Sequence, residues 1–351
     1  MKLYVFNPEH DIALAHGTPL FTAPKAGRQL RSDLGFLPAL WAEQGDLVWV
    51  EEPTKAMMGA MQLNLNVSKE MFVDTPTLRR LSKHIDRVEP WGWDAAIAHS
   101  LQRLGISNSV LPTPDELTLI RQDSHRKQSK VFLDRLHSIM QEDRVIGESV
   151  EVKEEQELLC LMDLWKKVVL KSPWSSSGRG VRMVEAPLNE AILCWAASVL
   201  RHQGSLMVEP MYEKLLDFGM EFSATRMGVS YLGLSLFDTC GSAYTGNLIA
   251  DECVKRQLLG RYINLSLVDT VRESILHLFP QVFPRYFFGP FGVDMMVVRA
   301  ADGTLRIHPC VEINFRITMG HVALAFGKQA MMHYHSMKVA YVNGRYQLQC
   351  I

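Results

Sequence analysis

Residues 291–320 read FGVDMMVVRAADGTLRIHPCVEINFRITMG. Two apolar arms, 292–299 and 305–314, flank Ala301-Asp302-Gly303-Thr304, and an Asp-Gly pair between such arms is the signature of a β-hairpin. Counting outward from a two-residue turn at Asp302-Gly303 sets Asp294 against Val311. A single bulge moves it opposite Glu312. Carboxylates that face each other on a ladder repel, and a divalent cation between them removes the conflict. Glu312, Asn314 and Arg316 are spaced two apart, so in an extended strand all three project from one face. Asp, Glu and Asn oxygens without a Cys–His pattern suit Mg²⁺, which takes one or two carboxylates plus nucleotide phosphates. A plain solvent face is the other reading, and it leaves unexplained why polar residues end so apolar a hairpin.

Working outward, residues 168–181 read VVLKSPWSSSGRGV. Val168-Val169-Leu170 is a short buried strand that delivers Lys171. The loop Ser175-Ser176-Ser177-Gly178-Arg179-Gly180 follows, and a second strand starts at Val181. Glycine lets backbone approach a ligand closely. The loop's N–H groups, hydroxyls and Arg179 favour anions, and Lys171 adds a point charge at the strand end. This is a phosphate grip, but no Walker loop, because the Gly-Lys-Ser/Thr order is missing. A surface hairpin with an incidental lysine is the alternative. Upstream, Arg126, Lys127 and Lys130 crowd the start of a helix over 127–141. Cations are unfavourable there unless an anion offsets them, so phosphate contact and a solvated basic turn both stand. Downstream, a helix over 188–202 closes at Gly204, and Met207-Val208-Glu209-Pro210 is a strand ending on a carboxylate.

The chain has 351 residues and a formal net charge of −1; 47 % of its residues are apolar and 21 % charged. Its length calls for two or three domains. Near-neutral charge gives no global attraction to nucleic acid or an anionic membrane. The opening MKLYVFNPEHD turns polar too early for a secretory leader, and no run suits a transmembrane helix. Six scattered cysteines without C-x-x-C read as buried free thiols in a reducing cytoplasm.

Residues 1–118 alternate short strands (Leu3–Phe6, Leu47–Val50) with helices, one capped by Asp94, which argues for a parallel sheet whose ligands sit at the strands' carboxyl ends. Glu9, His10 and Asp11 lie at such an end, as a substrate-facing turn or a solvated Asx-type turn. Trp91 and Trp93 either stack on a ligand or pack under a loop. His308 reads as structural, His321 as a pocket or capping residue, and His333 and His335 as poor metal candidates.

With these parts in this order, residues 123–327 resemble the ATP-grasp superfamily. The resemblance implies an α/β and α+β fold: a Rossmann-like pre-ATP-grasp domain (1–118), then two grasp subdomains (119–205 and 206–351). It implies ATP contacts from Arg126, Lys171, Ser176, Ser177, Gly178, Glu209 (adenine edge) and Glu221 (ribose). It implies Mg²⁺, or Mn²⁺ in its place, on Asp294, Glu312 and Asn314, and catalytic roles for Lys171 and Arg316. The implied activity is carboxylate activation as an acyl phosphate, then capture by an amine-type acceptor. A grasp-fold kinase and a non-catalytic nucleotide binder are the alternatives. Two departures from the family pattern are the long gap from Glu209 to Glu221, which leaves Asp217 as a second ribose candidate, and Phe315 where many members carry Pro.

Overall fold

The structure is a computed structural model that describes residues 1–175, 180–241, 243–283, 287–328 and 335–351. In chain order the first elements are β1 (Lys2–Val5), α1 (His10–His16), α2 (Lys25–Leu34), β2 (Leu47–Trp49), α3 (Pro53–Gln62), β3 (Phe72–Val73), α4 (Thr75–Leu81), β4 (Arg87–Pro90), α5 (Ala95–Arg103) and α6 (Pro114–Asp123). Next come α7 (Lys127–Met140), β5 (Val150–Val152), α8 (Glu155–Trp165), β6 (Lys167–Lys171), β7 (Val181–Glu185), α9 (Glu190–Gln203) and β8 (Leu206–Pro210). The last are β9 (Glu213–Thr225), β10 (Gly228–Cys240), β11 (Ala243–Leu248), α10 (Glu252–Leu259), α11 (Leu265–Val282), β12 (Gly289–Arg299), β13 (Leu305–Asn314), α12 (Met319–Gly327), β14 (Ser336–Val342) and β15 (Arg345–Cys350).

These elements form two compact units. Unit 1 holds residues 1–122, 246–251 and 315–351, and unit 2 holds 123–245 and 252–314. Unit 1 contains a parallel sheet of order β3-β2-β1-β4. The chain steps outward from β1 to β3 and then crosses to β4, so the switch point lies between β1 and β4, the crevice where open α/β sheets bind ligands. Adjacency in the sequence groups 315–351 with the strand before them. Instead these residues pack in unit 1, where Ile317, Val322, Phe326, Met337 and Leu348 share a core with Tyr4, Phe36 and Val48.

Unit 2 has two antiparallel sheets. In the smaller, of order β5-β8-β6-β7, Val168, Leu170, Leu206 and Val208 join Leu158 of α8 and Ala196 and Val199 of α9 in one core. Alternation therefore turns Val169, Lys171, Met207 and Glu209 to the opposite face. Gly204 closes α9 in the left-handed conformation, as its sequence suggests, and Asn189 caps its start by accepting from Ile192 N. In the larger sheet β13, β12, β9 and β10 are neighbours in that order. Its back face is aromatic. Phe291 stacks on Phe222 at 5.1 Å and on Phe279 of α11 at 3.7 Å, and Phe132 of α7 packs edge-on to Phe279.

The hairpin of β12 and β13 turns through a wider loop than the two-residue turn expected. Ala300 N donates to Thr304 O, and Asp302 Oδ1 accepts from Thr304 N. Arg299 faces Leu305 and Met296 faces His308, and the register then shifts so that Asp294 faces Glu312. The carboxylates meet as expected, through a larger irregularity on β13 than a single bulge.

Candidate nucleotide and metal site

The front face of the larger sheet is best read as rows running across its strands. In one row Asn314, Gly292, Glu221 and Gly233 are successive register partners. In the next stand Glu312, Asp294, Gly219 and Ser235. Carboxylates thus sit beside glycines, and the floor between them stays low. A Cβ at Gly219 would fall 3.5 Å from Asp294 Oδ1 and 3.7 Å from Glu221 Oε1, filling the space those oxygens border. Asn314 Nδ2 donates to Asp294 Oδ2 at 3.0 Å, which offsets part of the repulsion between Asp294 and Glu312.

The cations come from the other side of the unit. Lys171 Nζ lies 2.6 Å from Glu209 Oε2, with both side chains under one-tenth exposed, and reaches Val311 O at 3.4 Å. Ser149 Oγ also donates to Glu209, at 3.3 Å. Arg126 stands just before α7. It donates to Ser175 Oγ at 2.7 Å and to Glu312 at 2.9 Å, and its Nε is buried without a hydrogen-bond partner. Its other nitrogens also donate to Ser172 O and Ser175 O, and a buried nitrogen left over is one that a bound anion would satisfy. Ser176, Ser177 and Gly178 lie outside the described residues.

These residues fit a divalent cation carried by a nucleotide. Asp294, Glu312 and Asn314 offer hard oxygen donors in one small patch. Among the described residues there is no group of three or more His, Cys, Asp or Glu able to hold a metal. Two carboxylates and an amide, completed by phosphates and water, are a sparse donor set of the kind Mg²⁺ uses. Asp217, the second ribose candidate, is held by Lys214 and Thr239, each at 2.6 Å. His308 shares the front face in the next row, opposite Met296. Its ring is buried, neither nitrogen has a partner, and Gly147 packs on it so closely that a Cβ there would lie 2.7 Å away. Burial, and then the nearby charges of Lys171 and His137, press its pKa down to about 3.

The sequence placed Arg316 on the strand with Glu312 and Asn314. β13 ends at Asn314, and Arg316 belongs to unit 1. There its guanidinium grips Asp11, with Nε at 3.0 and 3.1 Å from the two carboxylate oxygens and Nη2 at 2.9 Å from Oδ2. The strand breaks because the chain is recruited elsewhere: Phe315 is buried and Ile317 N donates to Trp91 O at 2.8 Å. Each residue of the turn after β1 has its own partner. Glu9 pairs with Arg31, His10 Nδ1 lies 3.4 Å from Asp94 Oδ2, and Asp11 holds Arg316. Asn7 ties this turn to the β4 end through Gly92 O at 2.8 Å.

Other expectations resolve one by one. Trp91 is buried edge-on to Phe6, so packing is its role. His321 takes part in a capping box with Thr318 at the start of α12. His333 lies outside the described residues. All six cysteines are free, but only Cys310 is buried, and Cys160, Cys194, Cys240 and Cys253 are exposed. Cys160 and Cys194 sit in runs apolar enough to suggest a core, yet α8 and α9 turn them to their outer faces. The residues that sequence reasoning missed are Asp11 as partner of Arg316, Ser149, and the low floor at Gly219 and Gly292. Only the glycines carried a signal, as breaks in otherwise apolar strands.

Within unit 2, then, Arg126 before α7 reaches Glu312 of the larger sheet, and Lys171 of the smaller sheet reaches Val311 O. No protein-family model and no curated protein matches the chain. Solved structures similar to it include N5-carboxyaminoimidazole ribonucleotide synthetase from Thermus thermophilus, at 13% identity over 97% of this chain and 83% of that one, with a TM-score of 0.49. N5-carboxyaminoimidazole synthetase from Staphylococcus aureus, complexed with ADP, is 12% identical over 91% of this chain and 71% of that one, with a TM-score of 0.48. D-alanine–D-alanine ligase from Bacillus anthracis is 13% identical over 90% of this chain and 87% of that one, with a TM-score of 0.46. No helix among the described residues is long and apolar enough to cross a membrane.

Proposed function

We propose that the chain is an ATP-grasp ligase. It transfers the γ-phosphoryl group of ATP to a substrate carboxylate and joins the acyl phosphate so formed to an amine-type acceptor, releasing ADP and phosphate. The observation that carries the reading is the register match of Asp294 with Glu312, set among glycines and faced by Arg126.

Asp294, Glu312 and Asn314 would hold Mg²⁺, or Mn²⁺ in its place, which supplies charge neutralisation on the phosphates. Phosphoryl transfer asks the protein for position and electrostatics more than covalent help. Arg126 and Lys171 would bind phosphate oxygens, with Lys171 aimed by Glu209. Ser176, Ser177 and Gly178 are the proposed further phosphate contacts. β5 begins only at Val150, opposite Val208 on β8, so its ladder does not reach Glu209, which supports that segment as the adenine edge. Glu221, buried on the front face, is the proposed ribose ligand. Arg316 is the proposed stabiliser of the transferring group, and its bidentate pairing fixes the guanidinium's orientation. The free cysteines support a reducing, cytoplasmic setting.

The test uses a carboxylate pool labelled with ¹⁸O, supplied with ATP, Mg²⁺ and amines. Ligation through an acyl phosphate puts ¹⁸O into the released phosphate. Product that keeps its phosphoryl group points to the kinase alternative. Absence of turnover for every pool, with ATP still bound, points to the non-catalytic one.

A further inference from the structure

Unit 1 has two neighbouring cavities that share Phe21, Thr22 and Ser100 in their walls, and their electrostatics differ. The one of about 200 Å³ at the β1–β4 crevice is internally balanced. Its Glu9 pairs with Arg31, its Arg28 donates to Ala23 O, and its Asp94 caps α5. The other, of about 420 Å³, has Arg79, Arg103 and His99 in its wall and no carboxylate. Among the described residues neither guanidinium, nor the His99 ring, makes a hydrogen bond or ion pair. The rest of the wall mixes apolar Leu20, Phe21 and Trp49 with the hydroxyls of Thr22 and Ser100. Leu20 is 77% exposed there.

The wall is built rather than incidental. Trp49 Nε1 donates to Thr75 Oγ1 at 3.1 Å, which orients the indole. α1 stops at Gly17 with φ of 70°, and a Cβ there would lie 2.9 Å from the Arg121 side chain, which donates to Leu14 O. The following loop is pinned by Phe21 N to Thr18 O and by the Phe21 ring lying 5.3 Å from His16. A cavity of this size, with apolar side chains and a few polar groups in one wall, is of the kind that holds small molecules. Unpartnered arginines in the wall favour an anion, because a guanidinium fork matches carboxylate and phosphate oxygens.

We propose that this cavity binds a small organic anion, a carboxylate or phosphate ester carrying an aromatic or branched apolar body. The anionic head meets Arg79 and Arg103, and the body lies against Leu20, Phe21 and Trp49. All of its lining residues belong to unit 1, and its binding needs no step of the ligation.

The test is calorimetric titration of the full chain with 3-phenylpropionate, phenyl phosphate, inorganic phosphate and 3-phenylpropanol. Phenyl phosphate against 3-phenylpropionate separates a phosphate head from a carboxylate head. At least one aromatic anion should bind saturably, roughly tenfold or more tighter than either inorganic phosphate or the neutral alcohol. Arg79→Gln/Arg103→Gln should weaken it by about tenfold or more, and Trp49→Leu should remove its advantage over inorganic phosphate. Both variants should bind ATP as the parent does. Both arginines are exposed, so their loss should leave the melting temperature unchanged. The proposal is overturned if neither aromatic anion saturates, if the arginine variant binds like the parent, or if inorganic phosphate binds as tightly as phenyl phosphate. Each of these outcomes is read independently of whether ATP binds.

Discussion

The larger sheet of unit 2 has two faces made from the same strands with opposite chemistry. Residues 218, 220 and 222 of β9 and 291, 293 and 295 of β12 are Phe, Met, Phe, Phe, Val and Met, and all are buried. The alternate positions 219, 221, 292 and 294 are Gly, Glu, Gly and Asp. Period-two alternation separates stability from chemistry within one ladder. The back face holds the unit together through stacked rings, and the front face carries the polar groups of the proposed nucleotide site. Substitutions on the two faces should therefore fail in different ways.

The largest effect belongs to the back face. Phe291→Ala removes a fully buried ring that stacks on two others. It should cost about 3–5 kcal/mol of stability, read by chemical denaturation, while the folded fraction keeps its affinity for ATP. A variant that stays stable but loses ATP would break the division. Front-face Asp294→Asn should do the reverse. Mg²⁺-dependent turnover should drop by about a hundredfold or more, with a melting temperature equal to or above the parent's because a like-charge pair is relieved. A strongly destabilised Asp294→Asn would assign that carboxylate to structure.

His308 sharpens the comparison, because it is a front-face residue buried like a back-face one. The unfolded chain takes a proton below about pH 6.5, which the folded protein refuses until about pH 3. In that window the unfolded state binds more protons, so stability rises with pH. It is whole above about 6.5 and is lost on acidification at about 1.4 kcal/mol per pH unit. His308→Leu should flatten the acid limb relative to the parent. It should cost little at pH 7, since no hydrogen bond is lost. An unchanged pH profile would show that His308 does not set the acid limb. The smallest effect is expected in unit 1. Asp11→Asn weakens the grip on Arg316 and should lower kcat about tenfold at unchanged KM for ATP. A change confined to KM would remove Arg316 from the transferring group.

Much of the candidate site's geometry is legible because its signals are local. Alternation and a turn count brought Asp294 within one step of Glu312, and strand-end logic picked out Lys171 and Glu209. What stayed hidden depends on long-range pairing. Arg316 looked like the next front-face residue after Asn314, but its partner Asp11 lies 305 residues away in the sequence, and spacing carries no information about that contact. The cysteines misled for a related reason, since a helix can carry an apolar-looking run whose thiol faces outward. The closing residues 315–351 were assigned by sequence adjacency to the strand before them, whereas their apolar side chains complete the core of unit 1.

The most direct test of the central claim is equilibrium dialysis of ATP, with and without Mg²⁺, on the parent and on Asp294→Asn/Glu312→Gln. The parent should bind more tightly when Mg²⁺ is present, and the double variant should bind equally with or without it. A double variant that keeps the full Mg²⁺ enhancement would contradict the account, because the paired carboxylates of β12 and β13 would then not be the metal's seat.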